Sequence, residues 1–404
     1  MSASDDFGLY VHWPFCAAKC PYCDFNSYVA GDPIDEARFL RAYKAELAFW
    51  AERLGAEKRA VTSLFFGGGT PSLMAPSLVG GIIEHVEALF GFSDGVEITL
   101  EANPQSVEAA RFKDLHMAGV NRLSIGVQSF DDEALRFLGR LHTADEAKQA
   151  IETAMARFSR VSFDLIYGRP DLSLQAWAAE LQTAFSFSPT HLSLYQLTIE
   201  PNTPFKRLYD AGKLVLPPDE LGADLYEQTQ DLCSQAGLPA YEVSNHAVPG
   251  EEARHNLLYW RYGDFLGIGP GAHGRVVIGG DRFETVEERD PSQWLALVEA
   301  AGQGGAAPRA LDFECEAVEM VLMGVRLKEG LALDALEERT GFGVASSLLS
   351  ELEEAGLIGA PVVDGNRVRL VPTKRGMVLS NQLATRLVEG LRPLNEGGPL
   401  RGFF

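Results

Sequence analysis

Six short apolar segments that alternate with amphipathic stretches constrain the fold of this 404-residue chain more than any other feature. The stretches between them, such as 36–54, carry apolar residues at helical spacing, so a helix separates successive strands. Strands joined in this way run parallel in one sheet. The pattern predicts an α/β fold, a partial (β/α)6 barrel of the TIM type, with strands at 9–12, 62–66, 96–101, 122–127, 161–166 and 191–197.

A polar or glycine-rich feature follows the end of nearly every predicted strand. The carboxyl ends of parallel barrel strands meet at one mouth, where active sites are built. Each feature by itself also fits a strand cap or a turn, but their repetition favours one shared site. They are a cysteine cluster, Gly67-Gly68-Gly69-Thr70, Glu101, Gln128, Asp164 and the pair Tyr195-Gln196.

The second half of the chain is less regular. A Gly/Ala-rich stretch at 300–307 predicts a linker. Beyond it the pattern predicts two helices, at 331–338 and 346–355, and a hairpin at 362–370. Two helices followed by a hairpin are typical of a winged helix. The sequence thus predicts a barrel over 1–215, a barrel extension over 216–300 and a small winged-helix-like C-terminal domain over 310–385.

Charge and hydropathy exclude several functions. The chain has 35 Lys and Arg against 56 Asp and Glu, a formal net charge of −21 that repels phosphate backbones. Winged helices often bind DNA, but residues 311–404 hold more acids than bases, which indicates a protein-facing or lid unit and no nucleic-acid binding. No apolar run reaches the ~20 residues of a membrane span, and the N-terminus is acidic where a signal peptide is basic. The sequence predicts a cytoplasmic protein without a membrane span.

Three of the five cysteines, Cys16, Cys20 and Cys23, have the spacing CxxxCxxC just after the first predicted strand. Three thiolates on one loop can ligate three irons of a [4Fe-4S] cluster and leave the fourth iron without a protein ligand. A structural zinc site needs a fourth protein ligand, for which only His12 lies near in sequence. The spacing therefore favours the cluster over zinc and over an inert group of thiols.

This motif, with Tyr22 before its last cysteine, resembles the radical S-adenosylmethionine (SAM) superfamily. The resemblance implies a radical SAM barrel in which SAM chelates the open iron and is cleaved to a 5′-deoxyadenosyl radical, while the protein holds and shields both cofactors. The loop around Gly68 resembles the segment that holds the SAM amino group, and Glu101 resembles an acid at the methionyl end. By itself such a loop would indicate a tight turn, and it lacks the Gly-Lys-Ser/Thr of a nucleotide P-loop.

Further segments narrow the resemblance to the oxygen-independent coproporphyrinogen III oxidase family. They include Tyr10-Val-His-Trp-Pro-Phe-Cys16, Glu101-Ala-Asn-Pro104, Ser124-Ile-Gly-Val-Gln128-Ser-Phe130, Leu138-Gly-Arg140-Leu-His142 and Asp164-Leu-Ile-Tyr-Gly168. The resemblance implies that the residues around the cluster-bound SAM are Tyr10, Tyr22, Gly68 and Glu101. It implies that those around a second SAM are Gly69, Thr70, Gln128, Arg140 and Asp164.

Two departures favour a haem chaperone branch of that family over the oxidase. The oxidase motif extends to CxxxCxxCxC, whereas here Phe25 occupies the position of the last cysteine. The segment 255–260 also resembles the HNxxYW motif of the chaperone branch. A neutral histidine can ligate haem iron, and Tyr and Trp offer flat apolar surface, although a packed aromatic group with a hydrogen-bonded histidine is the alternative. The resemblance favours haem binding by His255, Asn256, Tyr259 and Trp260.

The sequence therefore predicts a protein that binds haem and a SAM-liganded [4Fe-4S] cluster and transfers the haem to an acceptor protein. A membrane respiratory enzyme is the candidate acceptor. The alternative is a radical SAM enzyme, either the oxidase or a related radical methyltransferase, which Gln128, Arg140 and Asp164 favour. A zinc-stapled scaffold is a third hypothesis, and the sequence leaves open whether SAM is cleaved.

Overall fold

The computed structural model describes residues 6–31, 33–55, 59–365 and 367–394. Residues 1–5, which belong to the acidic N-terminus, lie outside the described residues. The strands are β1 (Phe7–Trp13), β2 (Phe15–Cys16), β3 (Tyr28–Val29), β4 (Val61–Gly68), β5 (Phe92–Ala102), β6 (Arg122–Gln128), β7 (Arg160–Tyr167), β8 (His191–Gln196), β9 (Asn245–Ala247), β10 (Asp264–Ile268), β11 (His273–Ile278), β12 (Asp281–Val286), β13 (Arg309–Ala310), β14 (Leu331–Ala332), β15 (Phe342–Val344), β16 (Val362–Asp364), β17 (Arg367–Leu370) and β18 (Leu391–Pro393).

The α-helices alternate with the strands of the barrel and form most of the C-terminal part of the chain. They are α1 (Glu36–Arg53), α2 (Pro76–Phe90), α3 (Ser106–Ala109), α4 (Phe112–Met117), α5 (Asp132–Phe137), α6 (Ala144–Met155), α7 (Leu174–Ser186), α8 (Pro204–Asp210), α9 (Asp219–Gln235), α10 (Arg254–Trp260), α11 (Pro291–Ala301), α12 (Phe313–Gly324), α13 (Leu333–Thr340), α14 (Ser346–Glu354), α15 (Lys374–Val378) and α16 (Ser380–Glu389). None of the helices in the described ranges is long and apolar enough to cross a bilayer.

One large sheet organises the molecule. Its strand order is β13-β12-β11-β10-β1-β4-β5-β6-β7-β8-β9. The seven strands from β10 to β8 in this order are parallel, whereas β9 and the strands β11 to β13 run antiparallel to their neighbours. The described sheet has β13 and β9 at its edges, so it is open, and the prediction of a partial parallel α/β barrel is confirmed.

All six predicted strands are present, and the sheet contains a seventh parallel strand, β10, that the sequence pattern does not predict. β10 comes from residues 264–268 and pairs with β1, more than 250 residues earlier in the chain. Its sequence contains Gly267 and is followed by two further glycines, which is typical of a loop. Gly267 is required for packing here, because a Cβ atom at this position would lie 2.1 Å from the carbonyl oxygen of His273 on β11.

A stability experiment tests this packing. We expect Gly267→Ala to lower the free energy of unfolding by about 2 kcal/mol, because the added methyl group must displace backbone rather than a flexible side chain. Gly80→Ala is the matched control, since its new Cβ atom would make an ordinary 3.5 Å contact with Ala118. Urea denaturation followed by circular dichroism measures both variants. Equal stability of the two variants would contradict the assignment of β10.

The main hydrophobic core lies between the sheet and the helices packed on it. Four tryptophans are fully buried in it, Trp13, Trp50, Trp177 and Trp294. Helix α1 shows why the sequence folds this way: the Asp35 side chain accepts a hydrogen bond from the backbone of Arg38 and caps the helix, and the apolar face beyond it is buried.

The C-terminal part has a hydrophobic cluster of its own, to which α12, α13, α14 and α16 contribute. It also has a small sheet in the order β14-β17-β16. The helices and the hairpin predicted here are present at α13, α14 and β16–β17. The stretch predicted as a linker, 300–307, packs on the barrel: the Gly304 amide donates to Glu46 at 3.0 Å, and Gly305 pairs with Glu287. The division into three domains, including the winged-helix-like domain, stays a prediction.

Candidate functional site

The cysteine loop begins where β1 ends. Cys16 lies on the short strand β2, which pairs with β3, and a turn follows in which the Cys23 amide donates to the Cys20 carbonyl at 3.2 Å. The Lys19 ammonium group bridges the loop, because it donates to the carbonyls of Phe25 and Ser27 at 3.3 and 3.1 Å. Burial raises the pKa of the Cys16 and Cys23 thiols, and metal binding would replace the thiol protons.

The glycine loop at the end of β4 lies directly against the cysteine loop. The amides of Gly69 and Thr70 donate to the carbonyls of Trp13 and Phe15 at 2.6 and 2.8 Å. A Cβ atom on Gly69 would lie 2.6 Å from the Phe15 carbonyl oxygen, and one on Gly68 would lie 2.5 Å from the His12 ring. The glycines are therefore needed where two backbone segments meet at the mouth.

A cavity of about 1080 Å³ opens at the carboxyl ends of the strands. This volume exceeds that of a typical small-molecule pocket. Eleven of the predicted site residues line it: Cys16, Cys20, Cys23, Tyr22, Gly68, Gly69, Thr70, Glu101, Gln128, Arg140 and Asp164. We call it the mouth cavity. The structure thus brings together the residues that follow separate strands in the sequence.

Arg140 links the cysteine loop to the far wall of the mouth cavity. Its guanidinium contacts the Cys20 sulfur at 3.5 Å and donates to the Asn103 side chain and the Gly126 carbonyl at 2.5 and 2.8 Å. Asn103 in turn donates to the Thr70 hydroxyl at 3.2 Å. A cation held by neutral partners can offset negative charge on the thiolates and on a ligand beside them.

Two carboxyl groups, Glu101 and Asp164, lie on the floor of the mouth cavity. Burial, with the nearby Asp164 charge, raises the pKa of Glu101 to about 8, although the Gly68 amide donates to it at 3.2 Å. Burial also raises the pKa of Asp164 to about 6, and its Oδ1 atom is buried without a hydrogen-bond partner. Buried acids that lack a cationic partner are costly to ionise, so both groups fit a site that gains a cationic ligand.

Gln128 shows backbone strain at the same place. It has φ of 70°, which a residue with a side chain rarely adopts, and the register between β6 and β7 shifts just before it. The side chain is nearly buried and faces the mouth cavity. Strain of this kind is concentrated at functional sites, which supports a role for Gln128 there.

Tyr10 does not line the mouth cavity. Its side chain lines a second cavity of about 580 Å³, which we call the inner cavity. Its hydroxyl is 2.9 Å from Nδ1 of His12, and its ring stacks near Phe65. The inner cavity shares Gly68, Glu101 and Asp164 with the mouth cavity, so the two spaces adjoin.

The inner cavity also contains most of the predicted haem residues. His255, Asn256 and Tyr259 line it from α10. The His255 ring stacks on Phe65 with centroids 4.0 Å apart and meets Tyr259 edge-on at 4.2 Å. Burial lowers the pKa of His255 to about 3, so the imidazole is neutral. This arrangement is consistent with a metal ligand and also with the alternative of a packed core histidine.

Trp260 does not join this group. It is half-buried on the other side of α10, outside the walls of both cavities, where the Arg326 guanidinium lies 5.7 Å from its ring centroid. The four residues predicted to bind haem are therefore divided between the inner cavity and a contact with the C-terminal part.

The roof of the mouth cavity is not predicted from the sequence. Arg326 and residues 377–381 line it from the C-terminal part. They lie well over 100 residues from the barrel motifs, and no local pattern predicts that contact. Asn103 is also missed, although it belongs to the Glu101-Ala-Asn-Pro104 segment, because only the structure shows that it bridges Thr70 and Arg140.

The donor set fits a cluster better than a zinc ion. Both ring nitrogens of His12 already have partners, the Tyr10 hydroxyl and the Asn26 carbonyl at 2.8 Å, so His12 is not available as a fourth zinc ligand. Among the described residues no three His, Cys, Asp or Glu side chains converge on a point where one metal ion could bind. A [4Fe-4S] cluster needs less convergence, because each of the three thiolates ligates its own iron.

Comparison with known proteins agrees with this geometry. Residues 10–183 match the family model of the Radical SAM superfamily. The fold is similar to that of coproporphyrinogen III oxidase (HemN) from Escherichia coli, with a TM-score of 0.77 at 23% identity over 96% of this chain and 91% of that chain. Fold and sequence together define a radical SAM protein.

Relatives of similar length identify the branch. Heme chaperone HemW of Escherichia coli (strain K12) is 38% identical over 351 residues, 85% of this chain and 91% of that protein. HemW of Bacillus subtilis (strain 168) is 34% identical over 380 residues, 93% of this chain and 97% of that protein. The Bos taurus protein named radical S-adenosyl methionine domain-containing protein 1, mitochondrial, is 39% identical over 363 residues, 87% of this chain and 81% of that protein. The chain belongs to the HemW family.

Proposed function

We propose that this protein is a cytoplasmic haem chaperone that carries a SAM-liganded [4Fe-4S] cluster and passes haem to an acceptor protein. The observation that carries the proposal is its similarity, over most of both chains, to relatives named heme chaperones. A membrane respiratory enzyme is the acceptor we propose. Haem-loaded protein mixed with membrane vesicles that contain such an enzyme in its apo form should lose haem and restore the enzyme's spectrum. Retention of the haem by the protein would contradict transfer.

In this proposal the cluster and SAM occupy the mouth cavity. Cys16, Cys20 and Cys23 would hold the cluster, and Glu101 would accept a hydrogen bond from the ammonium group of SAM. When bound, the cluster and SAM supply one-electron chemistry. The Lys19 and Arg140 cations hold the loop closed and stabilise thiolate charge. Binding of a cation beside Glu101 moves its proton to solvent near neutral pH, because its pKa of about 8 then falls.

In this proposal haem binds beside α10. His255 is neutral at physiological pH and can therefore ligate iron, while Tyr259 and Phe65 offer flat apolar surface beside it. Because His255 is packed between the face of Phe65 and the Tyr259 ring, the haem iron reaches it only if the packing around α10 opens. The inner and mouth cavities adjoin at Gly68, which gives haem and cluster a common boundary.

We expect His255→Ala to remove or shift the Soret band seen when haem is titrated into the wild-type protein, because the neutral imidazole is lost. His116→Ala is the control, since His116 is exposed on α4. Circular dichroism of both variants checks the fold. A titration of His255→Ala that matches the wild type would mean that the ligand lies elsewhere and that the segment serves packing.

The second candidate is a radical SAM enzyme. The size of the mouth cavity and the position of Gln128, Arg140 and Asp164 in its wall favour this candidate. Anaerobic incubation of the reconstituted, reduced protein with coproporphyrinogen III distinguishes the two functions. We expect the substrate to remain unchanged, and formation of protoporphyrinogen IX would place the oxidase activity first.

A further inference from the structure

Trp260 lies outside both cavities, yet it contacts a residue that lines the mouth cavity. The guanidinium of Arg326 is positioned over its ring at 5.7 Å. A guanidinium that stacks on an aromatic face keeps its N–H groups directed outwards from its edge. Trp260 thus presents Arg326 to the cavity.

The position of Arg326 is fixed from two sides. It follows α12 in a turn in which its amide donates to the Met323 carbonyl at 3.1 Å. The next two residues form backbone hydrogen bonds with residues 241 and 242. Leu327 pairs with Glu242 in a β-bridge, and the Lys328 amide donates to the Tyr241 carbonyl at 3.0 Å. The Arg326 side chain also donates to the Asn381 side chain on α16 at 3.0 Å.

Arg326 differs from the other cations that line the mouth cavity, Lys19 and Arg140. Those two are engaged with the cysteine loop and with backbone carbonyls. Arg326 has one neutral hydrogen-bond partner, and within the described ranges no carboxylate forms an ion pair with it. The Arg326 charge acts on the nearby Glu242 carboxylate only electrostatically, and Glu242 accepts its hydrogen bonds from Ser244 and Asn245. Most of the donors of Arg326 are therefore free for a ligand.

We propose that Arg326 binds a propionate of a haem that extends from the inner cavity at His255 into the adjoining mouth cavity, where Arg326 lines the roof. Trp260 is then a positioning residue that acts through Arg326 and does not itself touch haem. The inference rests on the proposed function. A guanidinium matches a carboxylate in a bidentate pair.

Titration of the full-length protein with haem and with haem dimethyl ester, whose propionates carry no charge, tests the proposal. The wild type should bind haem about tenfold more tightly than the ester. Arg326→Gln should lose about tenfold in haem affinity, keep its ester affinity and so lose the preference. Arg326→Lys should keep part of the preference for haem over the ester. Arg386→Gln, which removes an exposed arginine on the same helix as Asn381, should behave as the wild type.

Substitutions of Trp260 separate positioning from contact. Trp260→Phe keeps an aromatic face under Arg326 and should keep the preference for haem, whereas Trp260→Ala should reduce it and leave ester binding intact. A full preference in Arg326→Gln would overturn the inference and leave the chaperone function standing. Weaker SAM binding in Arg326→Gln with an unchanged preference would also overturn it, because the carboxylate would then belong to SAM. Failure of the wild type to bind either porphyrin would remove the proposed function itself.

Discussion

Replacing Cys20 by alanine should abolish the iron–sulfur cluster. Two thiolates, Cys16 and Cys23, would remain for a cluster that needs three protein ligands when one iron is reserved for SAM. After anaerobic reconstitution with iron and sulfide, we expect the wild type to hold about four irons per chain and Cys20→Ala to hold close to none. SAM binding should be lost with the cluster, because the open iron is its anchor.

The backbone around Cys20 should survive the change. The turn at Cys23 depends on the carbonyl of residue 20, which alanine keeps, and Lys19 donates to carbonyls farther along the loop. Cys315→Ala is the matched control, since Cys315 is also a half-buried free thiol but lies at the start of α12. Iron analysis and visible absorption measure both variants. A cluster of full occupancy in Cys20→Ala would mean that other residues ligate it.

The fold was largely predictable because its main signals are local. Each of the six predicted strands is a short apolar run, and each is followed by a helix whose apolar face can be recognised within one segment, as in α1. β10 was not predictable in this way, because its pairing with β1 depends on chain segments far apart and its own sequence is rich in glycine. The packing of 300–307 on Glu46 depends on distant contacts for the same reason.

The mouth of the site was predictable and its roof was not. Residues that end parallel strands must converge, so Glu101, Gln128 and Asp164 could be placed together from the sequence. The buried face of α10 could not be predicted from its sequence, because α10 is one short helix and its neighbours decide which side chains are buried. His255 and Trp260 therefore appear as one motif in the sequence, yet they face different parts of the molecule.

Glu101 should make the stability of the cofactor-free protein depend on pH. Its pKa is about 8 in the fold against 4.5 in an exposed chain. The folded state therefore keeps a proton that the unfolded state has released, and stability falls as the pH rises from about 4.5 to about 8. One pKa unit corresponds to about 1.4 kcal/mol, and water in the cavity reduces the full value, so we expect a total loss of roughly 3 kcal/mol.

Glu101→Gln should remove this loss, because an amide of the same shape carries no proton to release. Urea midpoints of the cofactor-free protein at pH 6.5 and 8.5 isolate Glu101 from Asp164, whose pKa of about 6 lies below that interval. The wild type should lose more stability across the interval than Glu101→Gln. Exposed Glu354 provides the control, and Glu354→Gln should follow the wild type. Parallel curves for wild type and Glu101→Gln would mean that Glu101 is already ionised in the folded protein. A cationic ligand would then not have to displace a proton from Glu101.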